Sequence, residues 1–319
     1  MSLAHLGVSD LRCIEQAELE IPEALTLIWG ANASGKTSLL EAMFLLGRGR
    51  SFRTRNSERL IRYGQDHLRV IGDTRGDSGL PHHLGIEVSR TGTAARIDGR
   101  PANTLAELAR ILPVQVIEPG VHRLVEEGGY RRRRWMDWAV FHVEPQFVDT
   151  WVRYTRALKQ RNAALRTSPQ EAGVWDPELS HTGEAIAASR RRYMAELEPW
   201  WRETVEALAG LDVELHYQPG WSQEQSLKES LAASRARDEA RHITHSGPHR
   251  ADVAVRLLGR PAREVLSRGQ QKLVAAAMMI AQLKLLQSVT TAVPTLLLDD
   301  PAAELDGERL ARLSRKFAR

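Results

Sequence analysis

The chain has almost no cysteine: one residue, Cys13, in 319. That excludes a disulfide framework and any cysteine-built zinc site. A lone thiol of this kind is expected to pack within an N-terminal strand. Long apolar runs are also missing, and none reaches the roughly 20 residues that a bilayer-spanning helix needs. Met1-Ser2-Leu3-Ala4-His5 lacks the basic stretch and apolar block of a secretory leader. Aromatic residues make up only 6%, and no internal repeat, low-complexity linker or sustained heptad pattern is present. What remains is an ordinary soluble composition, 42% hydrophobic and 26% charged, long enough for two domains and expected in a cytoplasm with no membrane partner. Charge of one sign is not in large excess either. The net charge of +4 does not by itself argue for nucleic acid. Most of the cations are arginines, however, and their planar forks suit phosphate oxygens.

What is present is a phosphate-binding pattern. Gly30-Ala31-Asn32-Ala33-Ser34-Gly35-Lys36-Thr37 fits G-x-x-x-x-G-K-[ST], with Ser38 following. The preceding Leu25-Thr26-Leu27-Ile28-Trp29 is an apolar run suited to a buried strand, and residues 38–46 read as a helix ending at Gly47. Strand, glycine loop, helix is the order the chemistry needs. Glycines let backbone amides wrap a polyphosphate, and the helix N-terminus adds partial positive charge. Lys36 is expected to reach the β- and γ-phosphates of ATP, and the Thr37 hydroxyl to hold Mg²⁺. The bland alternative is a glycine-rich turn before a core helix. Such a match arises by chance in roughly one chain in a hundred, and the strand–helix frame lowers that further.

Two distant segments refine the class. Residues 294–301, Pro-Thr-Leu-Leu-Leu-Asp-Asp-Pro, form an apolar strand ending in two carboxylates, the Walker B pattern. Asp299 is expected beside Mg²⁺ and Asp300 against the attacking water. Ser267-Arg268-Gly269-Gln270-Gln271-Lys272 precedes a long apolar helix, Leu273 to Leu286, and lies 32 residues before Asp299. A serine there is usually only an N-cap. Followed by Gly-Gln-Gln, it resembles the signature of ABC-type ATPases, and Ala303-Glu304-Leu305-Asp306 resembles their D-loop. In that class the signature of one subunit touches the γ-phosphate held by the other. The resemblance therefore implies an ATP-dependent homodimer with Ser267, Gly269 and Gln270 at the partner's nucleotide.

Further stretches narrow this. They are Leu39-Leu40-Glu41-Ala42, Gly49-Arg50-Ser51-Phe52-Arg53-Thr54, Arg131-Arg132-Arg133-Arg134-Trp135-Met136-Asp137 and Gly247-Pro248-His249-Arg250-Ala251-Asp252. With the signature and Walker B runs they span nearly the whole chain, and in this order they resemble the RecF family, DNA gap-repair ATPases of the SMC-like branch. The resemblance implies a weak, DNA-stimulated ATPase in which Lys36, Ser267 and Asp300 are catalytic. It also implies sequence-independent binding of duplex or gapped DNA, partners RecO and RecR, loading of RecA, and a role in replication and the SOS response.

Three departures stand out. Position 33 is Ala where the family's loop has Gly, which weakens nucleotide binding if that residue needs φ > 0. No Gln occupies the expected Q-loop, where Val116-Ile117-Glu118-Pro119-Gly120 stands; Gln115 comes too early. The chain also stops at Arg319, soon after the D-loop-like run, which reads as truncation. Two alternatives stay open: an ABC transporter-type ATPase subunit, and a non-hydrolysing ATP-gated DNA clamp.

The expected fold class is α/β: an ABC/SMC-type P-loop ATPase head with an antiparallel β lobe and an inserted helical arm domain. Alternating segments at 6–14, 17–21, 68–74, 84–90 and 95–99 predict the lobe. Helices are expected over 104–112, 130–140, 145–165, 181–208 and 226–242, with Asp176-Pro177 as an interruption and strands at 114–117 and 210–217. The domains are then 1–125 for the first part of the head, 126–242 for the arm and 243–319 for the second part. A helical subdomain without a protruding arm is the alternative.

Arg48, Arg50, Arg53 and Arg55 follow the phosphate-loop helix with Phe52 among them, and the Arg50-Ser51-Phe52-Arg53 segment is the preferred DNA-backbone candidate. Arg131 to Arg134 face all directions of a helix, so surface ion pairs are expected there, with Arg132 or Arg133 packed into the arm base. Arg190 to Arg192 form a third cluster. His242, His245 and His249 have helix-like spacing, but Gly247-Pro248 would break that helix, so metal ligation is not expected.

Overall fold

The computed structural model describes residues 2–22, 25–75, 80–290 and 293–300. In chain order they form β1 (Ser2–Leu11), β2 (Ile14–Glu20), α1 (Lys36–Arg48), β3 (His67–Arg75), β4 (His83–Ser89), β5 (Gly92–Ile97), β6 (Arg100–Pro101), α2 (Leu105–Ile111), β7 (Val114–Ile117), α3 (Arg123–Glu126), α4 (Gly129–Val143), α5 (Phe147–Thr167), α6 (Asp176–Ala209), β8 (Val213–Gln218), α7 (Leu227–Ala233), α8 (Arg235–Arg241), β9 (Asp252–Leu257), β10 (Arg260–Pro261), α9 (Ala262–Val265), α10 (Arg268–Val289) and β11 (Thr295–Leu298). They divide into two compact units, one running to Gly120 and resuming at Leu286, the other Val121–Leu285.

Period-two alternation builds the first unit. Leu68 and Val70 of β3 and Leu84, Ile86 and Val88 of β4 are buried, while Arg69 and Glu87 face outward and pair across the strands at 2.9 Å. The antiparallel sheet runs β2-β1-β3-β4-β5-β6. Against it lies α1, whose buried stretch Ala42 to Leu46 joins the strands in one apolar core. At Gly47 the helix passes so close to the chain before β7 that a Cβ would stand 2.6 Å from the Leu112 carbonyl oxygen. A parallel pair, β7 with β11, matches Val114–Ile117 to Thr295–Leu298.

Two expectations in this unit are corrected. Leu25–Trp29 is not a buried strand. It has no ladder among the described residues, and Leu25, Leu27 and Trp29 are exposed, Trp29 by 84%. Only Ile28, on the other side, packs on the core. The strand beside the acidic end of β11 is β7. Cys13 is likewise exposed. The chain reverses between β1 and β2, with Arg12 at φ 57, and the thiol sits in that turn rather than inside a strand.

The second unit is mainly helical. α6 spans 34 residues, about 50 Å. Pro177 does not interrupt it; it lies in the first turn, where its missing N–H goes unused. Residues 226–242 split into α7 and α8, and β8-β9-β10 form a small antiparallel sheet. Indole and amide bonds tie α4 to α10: Trp135 Nε1 donates to the Met278 carbonyl at 3.2 Å and Gln282 Nε2 to the Trp135 carbonyl at 2.9 Å. α10 is, against expectation, long and apolar enough by length and composition to cross a bilayer, but 67% of its apolar window is buried inside the protein. Residues 243–285 group with the helices, not with the first unit, because Arg132–Asp252, Arg190–Pro248 and Trp135–Met278 contacts cross the expected boundary at 242.

Candidate functional site

The phosphate loop has the backbone its sequence requires. Gly30 and Gly35 take φ 155 and 96, and Ala33 takes φ 64. Position 33 does need the left-handed region, so Ala there costs of order 1 kcal/mol relative to Gly. Ala31, Asn32, Ala33 and Ser34 are exposed, and α1 starts at Lys36 with no side-chain cap and no acidic residue in its first turn. Its first amides are therefore open to an anion. Lys36 Nζ donates to the Gly30 and Ala31 carbonyls at 3.0 and 2.7 Å, which holds the ammonium across the loop. Behind the loop lies the β1–β2 turn. A Cβ on Gly35 would meet Cys13 Sγ at 3.4 Å, and that sulfur is 3.9 Å from Ser38 Oγ.

The parallel pairing of β7 with β11 delivers the second half of the site. The Asp299 amide donates to the Ile117 carbonyl at 3.0 Å, prolonging the ladder past Leu298. Thr37 Oγ1 donates to Asp299 Oδ1 at 2.8 Å, joining residues 262 positions apart. Asp300 follows, exposed and at φ 50, where the chain turns. A hydroxyl and a carboxylate side by side are hard oxygen donors, the set that suits Mg²⁺ shared with phosphates. Gln115, by contrast, lies inside β7 opposite Leu296. The D-loop-like residues 303–306 lie outside the described residues.

In the second unit, Ser267 caps α10. Its Oγ accepts from the Gln270 amide at 3.3 Å, and Gln270 Oε1 accepts from the Ser267 amide at 3.0 Å. Gln271 is turned inward, donating to the Leu266 carbonyl at 3.0 Å. Ser267, Arg268 and Gly269 are exposed, and a Cβ on Gly269 would meet nothing within 4 Å. The start of α10 is therefore open to solvent at Gly269, while the amides of Ser267 and Gln270 are engaged in the cap.

The arginine clusters part company. Arg131 pairs with Glu127, and Arg134 lies over the Tyr130 ring. Arg132 is buried and grips Asp252 with two bonds, 2.8 and 2.9 Å, while Arg133 donates to the Ala251 carbonyl. Arg190 grips Asp137 in the same way and also binds the Pro248 carbonyl. Arg132, Arg133 and Arg190 thus build structure around the Gly247–Asp252 motif. Arg50, Arg53 and Arg55 remain exposed.

The histidines of that region have separate partners. His242 Nδ1 meets the Leu165 carbonyl and His245 Nδ1 meets Asp238, each at 2.8 Å. His249 Nε2 faces the Thr244 carbonyl at 3.0 Å and Nδ1 faces Tyr154 Oη at 2.6 Å. A carbonyl only accepts, so Nε2 carries a proton, and in the neutral ring Nδ1 accepts from the tyrosine. Burial, with Arg250 and Arg133 nearby, pushes its pKa down to about 4, the bond to the Thr244 carbonyl opposing. Folding therefore favours the neutral ring. Its stabilisation is complete above the unfolded pKa near 6.5 and is lost as pH falls toward 4, on the order of 3 kcal/mol. Urea midpoints should drop between pH 7 and 4.5 more steeply in the native protein than in His249→Gln. Parallel pH curves for the two would refute the assignment.

Sequence reasoning missed one cluster in the first unit. Glu41, quoted above only as part of a motif, is a fully buried carboxylate held by Arg12 and Ser51. The available signal was its place among Leu40, Ala42 and Met43 on an apolar helix, where a charge must find a partner.

Comparison with known proteins agrees with this geometry. The model of the RecF/RecN/SMC N terminal domain matches residues 2–318. The DNA replication and repair protein RecF of Pseudomonas paraeruginosa is 41% identical over 320 residues, covering 99% of this chain and 87% of that protein. RecF of Pseudomonas putida is 40% identical over the same span. Among solved structures, the recombination mediator protein RecF with ATP, of the RecFOR pathway, superposes with a TM-score of 0.91 at 25% identity, covering 99% of this chain and 89% of that one. An Smc head bound to the C-winged helix domain of ScpA shares the fold, with a TM-score of 0.59 at 16% identity over 100% of this chain and 86% of that one. None of these relatives is a transporter, and that alternative is set aside.

Proposed function

Since this chain belongs to the RecF/RecN/SMC family, on its RecF side, and is an ATP-binding DNA replication and repair protein of the recombination-mediator type, we propose that it is an ATP-driven clasp that closes as a homodimer on duplex DNA beside a gap and opens by slow hydrolysis. One observation carries the reading most directly: the 2.8 Å bond between Thr37 and Asp299, which joins phosphate loop and Walker B carboxylate in one place.

The loop amides and Lys36 bind and orient the polyphosphate, with Gly30 to Ser38 lining it. Thr37 and Asp299 would hold Mg²⁺, which would supply charge neutralisation for the polyphosphate. Asp300 accepts a proton from the attacking water. Ser267, Gly269 and Gln270 of the second subunit complete the γ-phosphate contacts, with the exposed start of α10 as their support. Arg50 and Arg53 touch the DNA backbone without reading bases. The helices between 126 and 242 act as the arm, and RecO and RecR are the expected partners.

An ATPase assay with and without duplex DNA tests the reading. Slow turnover that rises with DNA is expected, and Lys36→Met, which removes the phosphate-binding charge, should abolish it together with ATP binding by calorimetry. ATP binding without any turnover would replace the hydrolysing clasp by an ATP-gated clamp. Native ATP affinity in Lys36→Met would remove the phosphate-loop assignment.

A further inference from the structure

Glu41 lies in α1 one turn beyond Thr37 and is 0% exposed. A buried carboxylate needs its lone pairs filled. Arg12, from the turn between β1 and β2, fills two of them: Nε to Oε2 and Nη2 to Oε1, both at 2.9 Å. Ser51 donates to Oε1, and Arg53 Nη1 stands 3.7 Å from Oε2. Ser51 Oγ also accepts from the amides of Arg53 and Thr54, at 2.9 and 3.0 Å. A hydroxyl has one proton, so with both amides donating to it that proton goes to Glu41. A chain of bonds thus runs from Arg12 through Glu41 and Ser51 into the backbone of residues 53 and 54.

This chain of bonds sets the shape of the arginine segment. On one side Gly49 ends α1 at φ 63. On the other the Phe52 ring stands edge-on to Phe44, 5.4 Å between centroids. Between and beside these anchors, Arg50 is exposed and makes no hydrogen bond or ion pair among the described residues, and Arg53 is 46% exposed. Anchors that leave Arg50 unpaired and Arg53 half-exposed at the edge of the Glu41 pair are what a surface for a polyanion requires, because backbone contacts work only if several cations match the phosphate spacing at once.

We propose that Ser51 is a positioning residue for DNA: held by the buried Glu41–Arg12 pair, it folds the turn at 51–54 so that Arg50 and Arg53 face the phosphates together. This rests on the reading that Arg50 and Arg53 touch DNA. Neither Ser51 nor Glu41 contacts DNA itself. Ser51→Ala is the informative change, since Glu41 keeps both bonds from Arg12 and the fold is retained.

The test is duplex-DNA binding with ATP across a salt series, beside ATP titration and thermal melting, for Ser51→Ala, Ser51→Thr and Arg50→Gln. Ser51→Ala should weaken DNA binding about fivefold and flatten the slope of log affinity against log salt by about one phosphate contact, with ATP affinity and melting close to native. Ser51→Thr, which keeps the hydroxyl, should restore both slope and affinity. Native DNA binding in Ser51→Ala, with Arg50→Gln weakened, would overturn the positioning role and leave the DNA contact standing. Native binding in Arg50→Gln would overturn the contact itself and the positioning role with it. Equal losses of DNA and ATP affinity in Ser51→Ala would mark general damage and overturn the proposal.

Discussion

Asp300→Asn is expected to bind ATP as the native protein does and to hydrolyse it at least about 100-fold more slowly, the usual size of a lost general base. The geometry separates the two neighbouring carboxylates. Asp299 is engaged by Thr37 at 2.8 Å and anchored through its amide to Ile117, so it belongs to the phosphate end of the site. Asp300 sits one residue on, exposed, where the chain turns. Its φ of 50 matters for the design of the variant. Asn enters the left-handed region as readily as Asp, so the turn survives the exchange. What is lost is the ability to accept a proton. With opening blocked, the variant should also accumulate as an ATP-bound dimer. Turnover at the native rate would show that another group activates the water.

The parts of the molecule legible in the sequence are those specified over short distances. The phosphate loop follows from local backbone demands, and even the cost at Ala33 follows from the positive φ its position requires. The lobe strands follow from alternation, and the helix expected over 104–112 is α2, whose start the structure closes with a Thr104–Glu107 capping box. What stayed hidden depends on partners far along the chain. Arg132 meets Asp252 across 120 residues and Arg190 meets Asp137 across 53, so the packing expected of Arg132 or Arg133 was legible while the partners were not. Glu41 needed Arg12, 29 residues earlier, before its burial made sense. Leu25–Trp29 had the composition of a buried strand, but composition does not supply a neighbour, and β7 rather than this segment pairs with β11.

Ser267→Arg should have the largest effect on assembly. Ser267 is exposed and caps α10, so its loss weakens that helix start by about 1 kcal/mol and leaves the unit folded. The phosphate loop lies in the other compact unit, Lys36 and Thr37 with it, so ATP should still bind the monomer. A bulky cation at position 267 fills the space where a partner's γ-phosphate would be met. DNA binding should become weaker and independent of ATP.

If ATP joins two copies through this helix start, light scattering of the native protein and Ser267→Arg with ATP, with ADP and without nucleotide will show it. The predicted result is a dimer only for the native protein with ATP, and a monomer in every other sample. A dimer of Ser267→Arg driven by ATP would contradict the shared γ-phosphate, as would a native protein that stays monomeric with ATP bound.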